Sequence, residues 1–155
     1  MAEHHIGVIS DTHGLLRPEA VRALQGVDLI IHAGDLGNPE VLAALEGIAP
    51  VYAVRGNIDR GEWAGKLPLT QVVEVGRVHL YVLHEIFCLD LDPGAAGFAA
   101  VIFGHSHQPH LEWKNGVLYL NPGSAGPRRF TLPVTLARLR VQGDSLRAEL
   151  VELEV

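Results

Sequence analysis

The sequence predicts an α/β fold in which two β-sheets pack face to face and helices flank the first half of the chain. Three observations carry this expectation. The first third alternates short apolar strands with helical segments, in a β-loop-α rhythm. Those early strands are near-continuous apolar runs, as strands covered on both faces should be. The remainder is dominated by strand pairs joined at turn residues, with little helical periodicity.

The elements follow in order. His5–Ile9 is a β-branched strand that ends in the polar loop Ser10–Gly14. Pro18–Gln25 is a helix with proline at an opening position. Asp28–His32 is the second strand, ending in Ala33–Gly37. Asn38–Pro39 is an N-cap with proline at N1, opening a helix to about Glu46. Val51–Val54 is the third strand, ending in Arg55–Asp59, and Asn57–Leu69 is a surface excursion. Gln71–Val75 and Val78–Leu83 form a hairpin around Gly76. His84–Gly97, with Pro93–Gly94, is irregular and weakly helical. Ala100–Phe103 is a strand that ends in Gly104–His107. His110–Lys114 and Val117–Leu120 flank Asn115–Gly116, a strong hairpin signal, and Asn121–Ser124 closes the unit. Val134–Val141 and Leu146–Val155 alternate across Gly143–Asp144 as a last hairpin.

The 155 residues fit one compact domain, 1–155, and 48% apolar content excludes intrinsic disorder. The formal net charge is −6, and Arg128–Arg129 is the only adjacent basic pair, so no binding of duplex nucleic acid is expected. A charged fraction of 19% leaves room for an apolar self-association surface, hence for a homo-oligomer. One cysteine, Cys88, allows no internal disulfide; with neither a basic leader nor an ~18-residue apolar run, the expectation is a cytoplasmic protein without a membrane span.

Histidine placement is the informative feature. Five expected strands end in residues able to bind a metal: Asp11 and His13, then Asp35, Asn57, His84, and finally His105 and His107. In open α/β sheets ligand sites lie beyond the carboxyl ends of strands, so loops distant in sequence can meet at one point. A set of imidazoles, carboxylates and an amide suits Mn, Fe, Zn, Ni or Co better than Mg or Ca. Seven donors exceed one tetrahedral ion; one shared carboxylate would give two ions four contacts each, the arrangement used for in-line displacement at phosphorus. Gly14, Gly34, Gly37, Gly56 and Gly104 sit beside these donors, where loops must turn closely around an ion.

Taken together, Asp11-Thr12-His13, Gly34-Asp35, Gly56-Asn57, His84, Gly104-His105-Ser106-His107, Asn121-Pro122-Gly123-Ser124 and Pro127-Arg128 resemble the calcineurin-like metallophosphoesterases, and among them the small YfcE-like phosphodiesterases. The resemblance runs from Ile6 to about Arg129. It implies a four-layer α/β-β/α sandwich with a dinuclear centre at one edge. By position, one ion would take Asp11, His13 and His107, the other Asn57, His84 and His105, with Asp35 bridging. Asp35, Asn57 and His105 are the expected catalytic set. The implied reaction is attack of a metal-bridging hydroxide on a phosphodiester or nucleotide-like small molecule, with two divalent transition-metal ions, manganese foremost. A phosphomonoesterase or nucleotide phosphatase on the same site, and a non-enzymatic scaffold like the retromer subunit Vps29, are the alternatives.

Two positions depart from the family pattern. Ile58 stands where many relatives carry a histidine that protonates the leaving oxygen, which favours activated diesters that leave without help. Glu85 follows His84 where relatives carry glycine; it could reach a metal, repel an anionic substrate or face solvent. Among the remaining residues, Asp59 is read as orienting Asn57, and His32 as a buried support or a plain strand residue. His79 and His110 are strand residues, Cys88 a small buried hydrophobe, and Trp63 a packing residue. Arg128 and Arg129 are a solvated pair or a contact for a phosphate arm.

Overall fold

The computed structural model of the chain describes residues 2–155. Its first sheet contains β1 (Glu3–Ile9), β2 (Leu29–His32), β3 (Val51–Ala53), β9 (Thr135–Gln142) and β10 (Ser145–Glu152), in the order β10-β9-β1-β2-β3. β1, β2 and β3 run parallel, while β9 is antiparallel to β1 and to β10. The second sheet contains β4 (Thr70–Val75), β5 (Val78–Leu83), β6 (Ala100–Ile102), β7 (His110–Lys114) and β8 (Val117–Asn121), in the order β4-β5-β6-β8-β7. β5, β6 and β8 run parallel, and the edge strands β4 and β7 are antiparallel to their neighbours. Both sheets are therefore mixed.

The central core lies between the sheets. Ile6, Val8, Ile31 and Leu139 of the first meet Leu80, Val82, Ile102 and Leu120 of the second, all fully buried. Strand alternation then sends the intervening side chains outward. On the first sheet Ile9 and Ile30 receive α1 (Pro18–Ala23) and α2 (Pro39–Glu46) through Ala20, Leu24 and Leu45. On the second, Tyr81, Leu83, Val101 and Phe103 are covered by Ile86, Leu89, Leu91 and Phe98. This fourth layer is thin: a single 3-10 turn, Ile86–Cys88, and irregular chain, where Pro93 and Gly94 interrupt any longer helix.

Several local expectations are met with small shifts. Asn38 Oδ1 accepts from the Val41 N–H at 3.0 Å and caps α2, with Pro39 as its first residue. Helix α1 closes at Ala23 rather than Gln25, because Gly26 turns the chain with φ +83°. β1 begins at Glu3, two residues before the expected start at His5, so His4 is also a strand residue. The excursion after Asn57 contains a short helix α3 (Glu62–Gly65), which the sequence reading did not anticipate; one turn is too short to show a period. Among the described residues no helix is long and apolar enough to cross a membrane.

Candidate metal centre

The carboxyl ends of β1, β2, β3, β5 and β6 lie along one edge of the sandwich, and the loops leaving them bring the expected donors together. Atoms of Asp11, His13 and His107 lie within 4.8 Å of one another, as do atoms of Asp35, His84 and His105. Asn57 joins the second group, its Oδ1 lying 2.9 Å from Nε2 of His84 and 3.2 Å from Nδ1 of His105. The two groups touch through Asp35, whose Oδ2 is 3.3 Å from Nε2 of His13 and 3.2 Å from Nε2 of His84.

The backbone around these donors is held in unusual conformations. Asp11, His13, Asp35, His105 and His107 have φ between +47° and +73°, five of the seven described non-glycine residues with positive φ. Such conformations are unfavourable for L-residues, and they persist where surrounding bonds over-determine them. Those bonds are present. Asp11, His13 and Gly14 donate their N–H groups to the carbonyls of Gly34, Asp35 and Leu36, lacing the first loop to the second. Ser124 Oγ donates to the Asp11 carbonyl at 2.9 Å, and Asn121 Nδ2 donates to the Gly104 carbonyl and to Ser106 Oγ at 3.1 Å each.

Each aspartate has one oxygen anchored and one left for the centre. Asp11 Oδ2 accepts from Ser10 Oγ at 2.8 Å and from the His105 N–H at 3.1 Å, leaving Oδ1 buried without a hydrogen-bond partner. Asp35 Oδ1 accepts from the Ile58 N–H at 3.0 Å, leaving Oδ2 between the two groups. His84 Nδ1 is 2.8 Å from the Ala33 carbonyl, which can only accept; Nδ1 therefore carries the proton and Nε2 faces the second group.

Electrostatics follow from this packing. Burial opposes charge on Asp35, but the bond with His84, the Ile58 N–H and the nearby His84 and His13 together hold its carboxyl below the usual range. Burial likewise opposes charge on His84, yet bonds to Asp35 and Ala33 and the charges of Asp11 and Asp35 raise its pKa. His107 is lowered, chiefly by burial, with Arg129 and His13 acting in the same direction against Asp11. His32 is fully buried and pushed down to about 4 by desolvation. Its Nδ1 accepts from the Gly34 N–H at 3.1 Å, and its Nε2 is 3.1 Å from Thr12 Oγ1, so it ties the first two loops together.

Divalent ions fit these residues. The three buried side-chain polar atoms without a hydrogen-bond partner, among the described residues, are Asp11 Oδ1, His13 Nε2 and His107 Nδ1. All belong to the first group, where leaving polar atoms unpaired is costly without a cation to bind them. Mixed nitrogen and oxygen donors suit a transition ion.

Three side chains are used differently from the sequence reading. Asp59 does not reach Asn57; its Oδ2 accepts from the N–H groups of Asp35, Leu36 and Gly56, and its Oδ1 from Gly37. It shapes the loop that carries Asp35. Cys88 is exposed rather than buried, because the short 3-10 turn points it away from the sheet. Glu85 reaches His105, Oε1 to Nε2 at 3.1 Å. Arg128 and Arg129 are exposed, and Trp63 packs half-buried against the core on the helix side of the first sheet. Ser10, which carries no role in the sequence reading, and Asn121, which enters it only within the Asn121–Ser124 motif, fix the first and last loops; their signal is a polar residue at the end of an apolar strand.

The whole chain also has relatives. A model of the calcineurin-like phosphoesterase superfamily domain matches residues 5–144. A probable metallophosphoesterase of Methanothermobacter thermautotrophicus is 38% identical over 161 residues, covering 94% of this chain and 91% of that one. The solved structure of an archaeal phosphodiesterase superposes with a TM-score of 0.78 at 25% identity, covering 95% and 99% of the two chains. Vacuolar protein sorting 29 from Cryptosporidium parvum reaches 0.83 at 22% identity, covering 98% and 92%, a likeness of fold. The chain belongs to the calcineurin-like phosphoesterase superfamily and is a metallophosphoesterase.

Proposed function

We propose that the protein is a phosphodiesterase acting on small phosphodiester or nucleotide-like substrates with two divalent transition-metal ions, manganese foremost. Asp11, His13 and His107 would hold one ion and Asn57, His84 and His105 the other, with Asp35 shared. The observation that carries this reading is the position of Asp35 Oδ2, within 3.3 Å of a histidine nitrogen of each group, beside three orphaned polar atoms of the first. Bound ions would supply Lewis acidity at the phosphoryl oxygens and a water acidic enough to attack phosphorus near neutral pH.

The chain's own residues set the stage for that chemistry. Ser10 and the His105 N–H hold Asp11, and the Ile58 N–H holds Asp35, so neither carboxylate must reorganise during reaction. Asn57 and His105 close the second group beside a cleft of about 330 Å³, also lined by Arg55, Thr70, Leu83 and Cys88, into which a substrate arm can extend. The apolar Ile58 next to Asn57 offers no proton to a leaving oxygen. That favours diesters with good leaving groups over monoesters of poor ones.

Metal analysis of the purified protein, with diesterase activity before and after chelation, tests the reading. Two ions per chain, with activity lost to chelator and restored by manganese, is the expected result. Protein that gains neither metal nor activity would overturn it. A monoester and a diester of one leaving group, compared at equal concentration, decide against a phosphomonoesterase if the diester turns over faster.

A further inference from the structure

Glu85 takes no part in the centre as described so far, yet it touches one of its members. It follows His84 directly at the end of β5, and its side chain is 41% exposed. Its Oε1 lies 3.1 Å from Nε2 of His105. The other ring nitrogen of His105, Nδ1, lies 3.2 Å from Asn57 Oδ1, which is itself 2.9 Å from Nε2 of His84. The His105 ring therefore stands between a carboxylate on its outer side and the second group of donors on its inner side.

The two contacts are chemically unequal. A carboxylate can only accept, so the Glu85 contact requires the proton on Nε2. Neutral His105 then presents the lone pair of Nδ1 to the carbonyl oxygen of Asn57. Two acceptors that face each other repel, and a cation between them would relieve that repulsion. Without Glu85, the acceptor left at this half-exposed ring is Asn57 Oδ1, which favours the proton on Nδ1, the nitrogen that faces the second group.

We infer that Glu85 is a positioning residue: it fixes His105 in the Nε2–H form, turns Nδ1 toward Asn57 and His84, and so raises the affinity of the second group for a divalent ion. The inference rests on the two-ion reading proposed above. It assigns a role to one of the two positions that depart from the pattern the sequence resembles. A carboxylate that accepts from the far nitrogen of a ligating histidine orients the ring and increases its basicity, and loss of such a partner costs roughly 10–100-fold in metal affinity.

Glu85→Ala and Glu85→Gln separate orientation from charge. Glutamine keeps an acceptor oxygen for Nε2–H and loses the charge; alanine loses both. Manganese binding at pH 8, followed by competition with a chromogenic chelator, is the first readout. Wild type binds two ions. Glu85→Ala keeps one ion at wild-type affinity and holds the other roughly 10–100-fold more weakly, with Glu85→Gln in between. The second readout is independent of metal: two-bond 1H–15N spectra of metal-free protein at pH 8. They show His105 as Nε2–H in wild type and shifted toward Nδ1–H, facing Asn57 Oδ1, in Glu85→Ala. Because Glu85 is a surface residue, thermal midpoints of both variants should match wild type, which excludes global unfolding as the cause. Equal affinity of both ions in wild type and Glu85→Ala would overturn the inference and leave the two-ion reading standing. So would an Nδ1–H tautomer in wild type. Wild-type protein that binds no manganese would remove both.

Discussion

Asp35 and His84 meet at 3.2 Å, Oδ2 to Nε2, and the same oxygen continues 3.3 Å to Nε2 of His13. One carboxylate oxygen thus links the histidine that follows β5 to the first loop of the chain. The other oxygen is occupied by the Ile58 N–H, so the division of labour between the two is fixed by the backbone. Substituting Asp35→Asn keeps an acceptor for Ile58 and removes the shared charge. We expect diesterase activity to fall on the order of 10³-fold. Metal content should fall below two ions per chain while the far-ultraviolet circular dichroism is unchanged. Activity within tenfold of wild type would mean that Asp35 is not shared.

The raised pKa of His84 sets a pH dependence on metal binding. The Nε2 proton, held against Asp35 while Ala33 keeps the one on Nδ1, must leave before Nε2 can bind a cation. Below that raised pKa, apparent affinity for manganese should rise with pH, by up to about tenfold per unit for this one proton. Above it the dependence flattens. Titrations between pH 6 and pH 9 would show this, and Asp35→Asn should shift the break toward lower pH because a principal support of the proton is gone. An affinity that does not change with pH would contradict the assignment of His84.

His32 makes a separate claim about acid stability. Its folded pKa is lowered from 6.5 to about 4, so folding favours the neutral ring. The stabilisation is therefore fully present above pH 6.5 and is lost as the pH falls toward 4, where the unfolded chain takes up a proton that the folded one refuses. For the metal-free protein the loss between pH 7.5 and pH 5 should be about 2 kcal/mol from this residue. In His32→Asn, Oδ1 can still accept from Gly34, and nothing at position 32 titrates. Urea melts at the two pH values should show a smaller difference for the variant than for wild type by about that amount. An equal pH dependence would place the acid lability elsewhere.

How much of this was legible in the sequence depends on the kind of interaction. The second half of β1, β2 and β6 are apolar runs that end abruptly in polar residues, so the strands and the edge at which Asp11, Asp35 and His105 gather are readable from the residue pattern. The β7–β8 hairpin is readable because Asn115 and Gly116 both require positive φ. Asp59 was misread because it looks like a neighbour of Asn57 in sequence, whereas its four bonds run mostly to a loop more than twenty residues away. Cys88 was misread because burial of a small residue depends on which way a single 3-10 turn points, and three residues show no period. The contact of Glu85 with His105 crosses from the end of β5 to the end of β6, and only the parallel pairing of those strands brings the two residues together.

The same closeness of loops makes Gly56 and Gly65 a matched test of the architecture. A Cβ on Gly56 would overlap the Asp35 backbone nitrogen and Oδ1, two atoms that cannot move without displacing the shared carboxylate. A Cβ on Gly65, at the end of α3, would meet nothing within 4 Å. Gly56→Ala should therefore destabilise the fold toward the upper end of the ~1–3 kcal/mol that overpacking costs. It should also lower metal affinity, because Asp35 must shift. Gly65→Ala should be neutral or stabilising by up to about 1 kcal/mol, since it removes freedom from the unfolded chain without a steric cost. Chemical denaturation of the two variants, with and without manganese, separates these outcomes. If the Gly56→Ala midpoint matched that of Gly65→Ala, the second and third loops would not be packed as tightly as the shared use of Asp35 requires.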